Sequence, residues 1–231
     1  MEEITVTERG ENRSNITYLY HALADCLDRG GGRGELLFGG GRTALRICTQ
    51  EQQKEDVRAR TRDKVAEIIG IGYKYRYLQE RLRVCLGERE RKWLCAALIA
   101  ADFEGDKGYI VRKLKNTDEY SIDGFYQFRL SPLREKWERI ADYIPSSFDS
   151  SDLKKFCDFL IGESERKIYL RGKSVFGENF RPLRRSRLTG EEDTETEIML
   201  SDAGFVYCLG DVEESVADFL QKYYAERAIF S

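Results

Sequence analysis

Glu35-Leu36-Leu37-Phe38-Gly39-Gly40-Gly41-Arg42-Thr43-Ala44-Leu45-Arg46-Ile47-Cys48-Thr49 is the stretch on which the fold turns. Gly39 to Ala44 fit the loose pattern GxGxxA, in which glycines after a strand let the backbone approach a pyrophosphate. Such a loop has to open a helix, because the helix N-terminus holds the phosphate. Leu45-Arg46-Ile47-Cys48 alternates instead, with the period of a half-buried strand. Glu35 to Phe38 and Thr43 to Thr49 therefore read as two strands of a hairpin, joined by glycines that reach positive φ cheaply. Working back toward the N-terminus, Ile4 to Thr7 alternates as a strand. Ile16, Leu19, Leu23, Cys26 and Leu27 then recur at helical spacing behind Ser14 or Asn15 as N-cap. Residues 1–50 form an N-terminal α/β element.

Beyond it, Val57, Ile68, Ile71, Tyr75, Leu78, Leu82 and Cys85 follow an alternating three-and-four spacing that misses at Thr61 and Lys64. A straight helix of that length would be about 52 Å long, more than a compact body of this size spans, so Gly70 and Gly72 are expected to break it. A second helix is expected from Glu88 to Phe103, and a shorter one after Gly105 and Gly108, ending near Lys115. Ser131-Pro132 starts another, with Leu133, Trp137, Ile140 and Ile144 on one face and Pro145 at its end. Residues 51–146 are the helical segment.

Residues 147–231 return to α/β. Ser151 or Asp152 caps a helix that turns Leu153, Phe156, Cys157 and Leu160 to the core and stops at Gly162. Lys167 to Arg171, Glu197 to Ser201 and Phe205 to Leu209 read as strands. Val212 to Tyr224 reads as a helix leading into Ala228-Ile229-Phe230. The fold class is α+β, a helical middle with small mixed α/β elements at both ends, packed as one or two globular units.

The 231 residues include 38 Lys and Arg against 41 Asp and Glu, and 41% are hydrophobic, enough to fold around a core despite a charged share of 34%. The longest apolar run, Trp93 to Ala101, is nine residues where a membrane span needs about 20, and no export signal is visible. A cytoplasmic setting follows, with the six scattered cysteines reduced and mainly buried. Arg outnumbers Lys by 25 to 13, which suits bidentate binding of phosphate or carboxylate but follows equally from a base-composition bias.

Catalytic chemistry finds little support. The only histidine, His21, shares a helix with Cys26 five residues on, about 500° of rotation away, so the two lie on different faces and His21 reads as a half-buried helical residue. Metal-ligand pairs at two-to-four spacing are absent, no cofactor is implied, and Gly172-Lys173-Ser174 has Lys167 where a phosphate loop needs its first glycine. Glu191, Glu192, Asp193, Glu195 and Glu197 read as a solvated loop. Asp102, Glu104 and Asp106 would matter only if the fold brought them together in a deep pocket. The sharpest charge feature is basic: Arg166, Lys167, Arg171, Lys173, Arg181, Arg184, Arg185 and Arg187 against the single acid Glu178. With Phe176 and Phe180 among them, they suit single-stranded nucleic acid through phosphate pairing and stacking. A hairpin pairing them with the acidic run at 191–197 uses the same residues without a ligand and is the simpler reading.

Ile122-Asp123-Gly124-Phe125-Tyr126-Gln127-Phe128-Arg129-Leu130 resembles the signature of the YtxC-like sporulation family, a Gly-Phe-x-x-Phe-Arg-Leu stretch that opens a helix. The resemblance covers residues 85–172; an Arg-rich segment between Gly172 and Thr196 and the break at Ser131-Pro132 depart from it. It implies a cytoplasmic protein of endospore-forming bacteria with a part in sporulation and no catalytic activity to carry over. The function expected is binding of another protein, with nucleic-acid binding through the Arg-rich segment as the alternative. Physically, Gly124 allows close backbone approach, while Phe125 and Phe128 share a helical face that packs on Trp137 or on the Trp93 helix. Arg129 caps carboxylates or carbonyls at a helix end, and Leu130 completes this structural group.

Overall fold

A computed structural model describes residues 2–10, 13–114 and 117–231. In chain order the elements are β1 (Glu2–Arg9), α1 (Ser14–Arg29), β2 (Arg33–Gly39), β3 (Arg42–Thr49), α2 (Lys54–Glu67), a π-helical turn (Ile68–Tyr73), α3 (Lys74–Arg81), α4 (Glu88–Ala100), α5 (Phe103–Lys113), β4 (Glu119–Ser121), α6 (Ile122–Arg129), α7 (Ser131–Tyr143), α8 (Ser150–Glu163), β5 (Lys167–Arg171), β6 (Ser174–Phe176), α9 (Thr194–Leu200), β7 (Phe205–Cys208), α10 (Glu214–Tyr223) and β8 (Ala228–Phe230). The fold is α+β, with two four-stranded mixed sheets toward the two ends of the chain. The chain divides into two compact units, Met1–Tyr73 with Glu104–Lys136 and Lys74–Phe103 with Trp137–Ser231, so the helical middle is shared between them. Among the described residues no helix is long and apolar enough to cross a membrane.

The first unit is built on the sheet β2-β3-β1-β4. The hairpin expected at the triple glycine forms, with Gly40 and Gly41 at φ +58° and +69°. β3 runs antiparallel to β1, and β4 adds to β1 in parallel. Ile4, Val6, Leu45 and Ile47 point to one face and are wholly buried, as are Ile16, Leu19 and Leu23 of α1. Each such side chain contributes roughly 1.5–3 kcal/mol of transfer free energy. The polar interruptions in the α2 pattern are satisfied locally: Thr61 donates its hydroxyl to the Val57 carbonyl at 2.8 Å, and Lys64 meets the buried Glu67 at 2.7 Å. Gly70 and Gly72 do not break the helical backbone; both are buried inside the π-helical turn, which absorbs them by widening. Gly105 and Gly108 likewise lie inside α5 rather than before it, and Lys115 falls outside the described residues.

In the second unit, Leu94 to Ala100 are buried along α4. The Trp93 ring lies 5.0 Å from Phe219 and 5.6 Å from Tyr223. The N-cap of α8 is Asp149 rather than Ser151 or Asp152; its carboxylate accepts from the Ser151 and Asp152 amides in a capping box. Of the segment 197–201, expected as a strand, residues 197–200 belong to the helix α9 and Ser201 is its C-cap. Asp193 explains the change, because its carboxylate accepts from both the amide and the hydroxyl of Thr196 and so starts a helix that β-type residues alone would not signal. The second sheet has the order β6-β5-β7-β8, with β5, β7 and β8 parallel and β6 antiparallel to β5.

Candidate functional site

Alternation along the second sheet gives it two faces. Ile168, Leu170, Val175, Val206 and Cys208 are buried on one. Lys167, Tyr169 and Arg171 of β5 lie on the other, where register aligns Phe176, Tyr169, Tyr207 and Ile229 across all four strands. The row is extended from the loop after β6. A bridge between Phe176 and Pro182, with the Gly177 amide donating to the Arg181 carbonyl at 3.0 Å, folds residues 177–181 into a tight loop. Phe180 sits in that loop at φ +55°, its amide bonded to the Gly177 carbonyl. This conformation lays its ring against Tyr169, centroids 4.4 Å apart and planes 23° apart, and Tyr169 in turn stacks on Tyr207 at 5.5 Å and 30°. Three rings thus form one stack, and its terminal member, Phe180, is 61% exposed.

Charge lies on the same face at Lys167 and Arg171. Among the described residues, Lys167, Arg171, Arg181 and Arg184 are exposed and no ion pair engages their side chains. The rest of the basic segment is occupied. Lys173 meets Glu213 at 2.9 Å, Arg187 meets Glu192 at 3.7 Å, and Arg166 reaches Asp202 at 3.9 Å. Arg185 donates to the Leu200 carbonyl and covers the Phe103 ring at 4.8 Å. The expected hairpin between basic and acidic strands does not form, since 194–200 is helical. Nor is the acidic run a solvated loop throughout: Glu197 is buried and accepts from the Arg185 amide and from the amide and hydroxyl of Ser186. Of the six candidate anion-binding residues, the structure leaves Arg171, Arg181 and Arg184 available and commits Lys173, Arg185 and Arg187.

No protein-family model, curated protein or solved structure matches the chain. Function has to be read from the residues alone.

The signature-like segment is α6. Leu130 is wholly buried, and its carbonyl accepts from the Leu133 and Arg134 amides, joining α6 to α7. A Cβ on Gly124 would lie 2.9 Å from the Ser121 hydroxyl, so the close approach involves a side chain. The expected packing of both phenylalanines on a tryptophan is not what the structure shows. Phe128 is 75% exposed, Phe125 is half-buried, and the ring of α6 that turns inward is Tyr126, 4.7 Å from Tyr73. Trp137 is flanked by Tyr77 at 6.0 Å and by the Lys74 ammonium at 5.9 Å. Arg129 caps nothing among the described residues; it is exposed and opens onto the same groove as Phe125 and Phe128.

His21 is exposed rather than half-buried, and Cys26 donates to Asp56 at 3.5 Å, not to a histidine. Four cysteines are buried, and burial pushes the Cys95 and Cys157 thiols up to about 12. Of the acids at 102–106, Asp102 lies 3.2 Å from the wholly buried Lys74, Asp106 is buried at 2.7 Å from Lys136, and Glu104 is exposed. Among the described residues no three His, Cys, Asp or Glu side chains are grouped to hold a metal ion. The ring stack was missed in the sequence, although its signal was there: Lys167-Ile168-Tyr169-Leu170-Arg171 and Phe205-Val206-Tyr207-Cys208 each alternate with aromatic or basic residues on one side.

Proposed function

We propose that the chain is a binding protein that grips single-stranded nucleic acid on the open face of its second sheet. The observation that carries this reading is the stack Phe180–Tyr169–Tyr207, ending in an exposed ring and flanked by Lys167, Arg171 and Arg181 without acidic partners. A base laid on Phe180 continues the stack, a contact worth about 1–3 kcal/mol, and the cations meet the phosphates on either side. Three phosphate contacts give a log–log salt slope of about −2, which is a loss of roughly twentyfold between about 50 and 200 mM salt. Fluorescence anisotropy of labelled single- and double-stranded oligonucleotides against the full chain tests this. A preference for the single strand with that slope is expected; no binding at about 10 μM protein and 50 mM salt would end the reading.

One observation favours a second reading, the protein-binding role in a sporulating cell that the resemblance implies. Among the described residues β8 is an edge strand paired with β7 alone, and Ile229 and Phe230 on it are 39% and 59% exposed. An extended segment of another chain can add to such an edge. The Ser231 amide donates to the Cys208 carbonyl, so Ile229 and Ser231 face β7 and Phe230 turns its backbone to the open edge. Pull-downs from sporulating cells with the parent and with Phe230→Pro separate the two readings: a partner held by the parent and lost by the variant supports strand addition, and equal recovery excludes it.

A further inference from the structure

A groove of about 830 Å³ opens in the first unit between the end of α5, β4 and α6. That volume lies in the range of sites that enclose small organic ligands. Among the described residues its charge is one-sided: Arg112, Lys113 and Arg129 line it against the single acid Glu119. Among the described residues neither Arg112 nor Arg129 has a hydrogen bond or ion pair, and the Lys113 ammonium only overlies the Tyr109 ring at 5.6 Å. Phe125 and Phe128 supply aromatic faces on the same wall, the second of them left largely in water. Tyr120, also in the lining, is 5% exposed and aligns with the wholly buried Val6, so its ring belongs to the inner face of the sheet.

We infer that this groove binds a small planar anion of the mononucleotide class. Each part of such a ligand has a counterpart on the wall. A flat ring stacks on Phe128 or Phe125. The polar edge of that ring reaches the Glu119 carboxylate. A phosphate takes the guanidinium forks of Arg112 and Arg129, a geometry that suits it. An acyl anion would leave the aromatic faces and Glu119 unmatched, and inorganic phosphate would leave the aromatic faces bare. These observations belong to the first unit and are independent of the sheet face in the second.

Calorimetric titration of the full chain with the four ribonucleoside 5′-monophosphates, the corresponding nucleosides and inorganic phosphate tests the inference. At least one monophosphate should bind below about 1 mM, with its nucleoside and inorganic phosphate each at least about tenfold weaker. Arg129→Ala and Phe128→Ala, both at exposed positions, should each weaken it by about tenfold while melting like the parent. The inference fails if no monophosphate binds at about 5 mM. It fails equally if both variants bind as the parent does, or if Phe180→Ala is the substitution that removes binding, which would place the nucleotide on the sheet instead.

Discussion

The two sheets have the same number of strands, and each buries one face, yet their other faces are finished differently. On the first, Arg46 lies opposite Glu35 and diagonal to Glu3, and it pairs with both at 3.6 and 3.4 Å. Charge at Arg46 is thus cancelled within the sheet, its neighbours in register are Thr5, Thr7 and Ala44 rather than rings, and the exposed Arg33 and Arg42 at the ends of the same face have no ion pair among the described residues. On the second, the register positions hold Phe176, Tyr169, Tyr207 and Ile229, and the cations beside them have no acid of their own. A sheet surface that carries cations but no rings can offer a nucleic acid counterion release and no stacking. One that stacks rings and leaves cations open retains both stacking energy and counterion release.

The largest expected effect concerns what the sheets share. Leu45→Ala in the first and Leu170→Ala in the second each remove a wholly buried side chain and should each cost about 2–5 kcal/mol in denaturant unfolding. A cost below about 1 kcal/mol at either position would mean that its inner face is not core. Next come the differences. Phe180→Ala should lower single-strand affinity by about 1–3 kcal/mol, five- to 150-fold, with Tyr169→Ala similar and less cleanly read because it also disturbs packing. Lys167→Ala or Arg171→Ala should instead reduce the salt slope by about 0.7 each. If ring and charge variants behave alike, the division of labour on this face is wrong.

Smaller effects are expected on the first sheet. Glu3→Gln with Glu35→Gln frees Arg46 but removes only half-exposed ion pairs, so stability should change by under about 1 kcal/mol. Without rings beside it, the freed cation should add no measurable affinity for oligonucleotide. The smallest effect is with pH. Hydrogen bonds from Arg58 and Lys54 hold the Asp118 carboxyl below its ordinary range, and Lys54 does the same for Glu2. A carboxylate depressed in the folded state contributes stability that is present above its unfolded value, about 4, and lost as pH falls through the folded value. Thermal melts between about pH 6 and 3 should therefore show an acid-side decline that Asp118→Asn makes shallower. Identical declines in parent and variant would remove this pair from the account.

Most elements were legible where a residue's local chemistry agreed with its period. The hairpin at Gly39 to Gly41, the helix of Ile16 to Leu27 and the strand Lys167–Arg171 all follow from spacing and turn residues that point the same way. α9 was not legible as a helix, because Thr196, Ile198 and Met199 carry no clear period and the deciding feature is one capping carboxylate at Asp193. Gly70 and Gly72 misled for the opposite reason: glycine's cost in a helix is a local quantity, and burial outweighed it. At the candidate site, spacing places Phe125 and Phe128 on one side of α6 but cannot say whether that side meets core or water. The basic segment was visible as composition, whereas its division into committed and open cations depends on Glu213, Glu192 and Leu200, which are remote from most of it in sequence. The Tyr169–Tyr207 contact spans two strands that no local pattern pairs.

Phe180 holds a backbone geometry that side chains other than glycine rarely adopt, at a cost of order 1 kcal/mol, and it does so at the one loop position that delivers its ring onto Tyr169. A glycine there would relax the turn and delete the ring in a single step. Durability and recognition therefore pull against each other at one residue, and a heat-hardened version of this protein selected without regard to its ligand would tend to lose its grip there first.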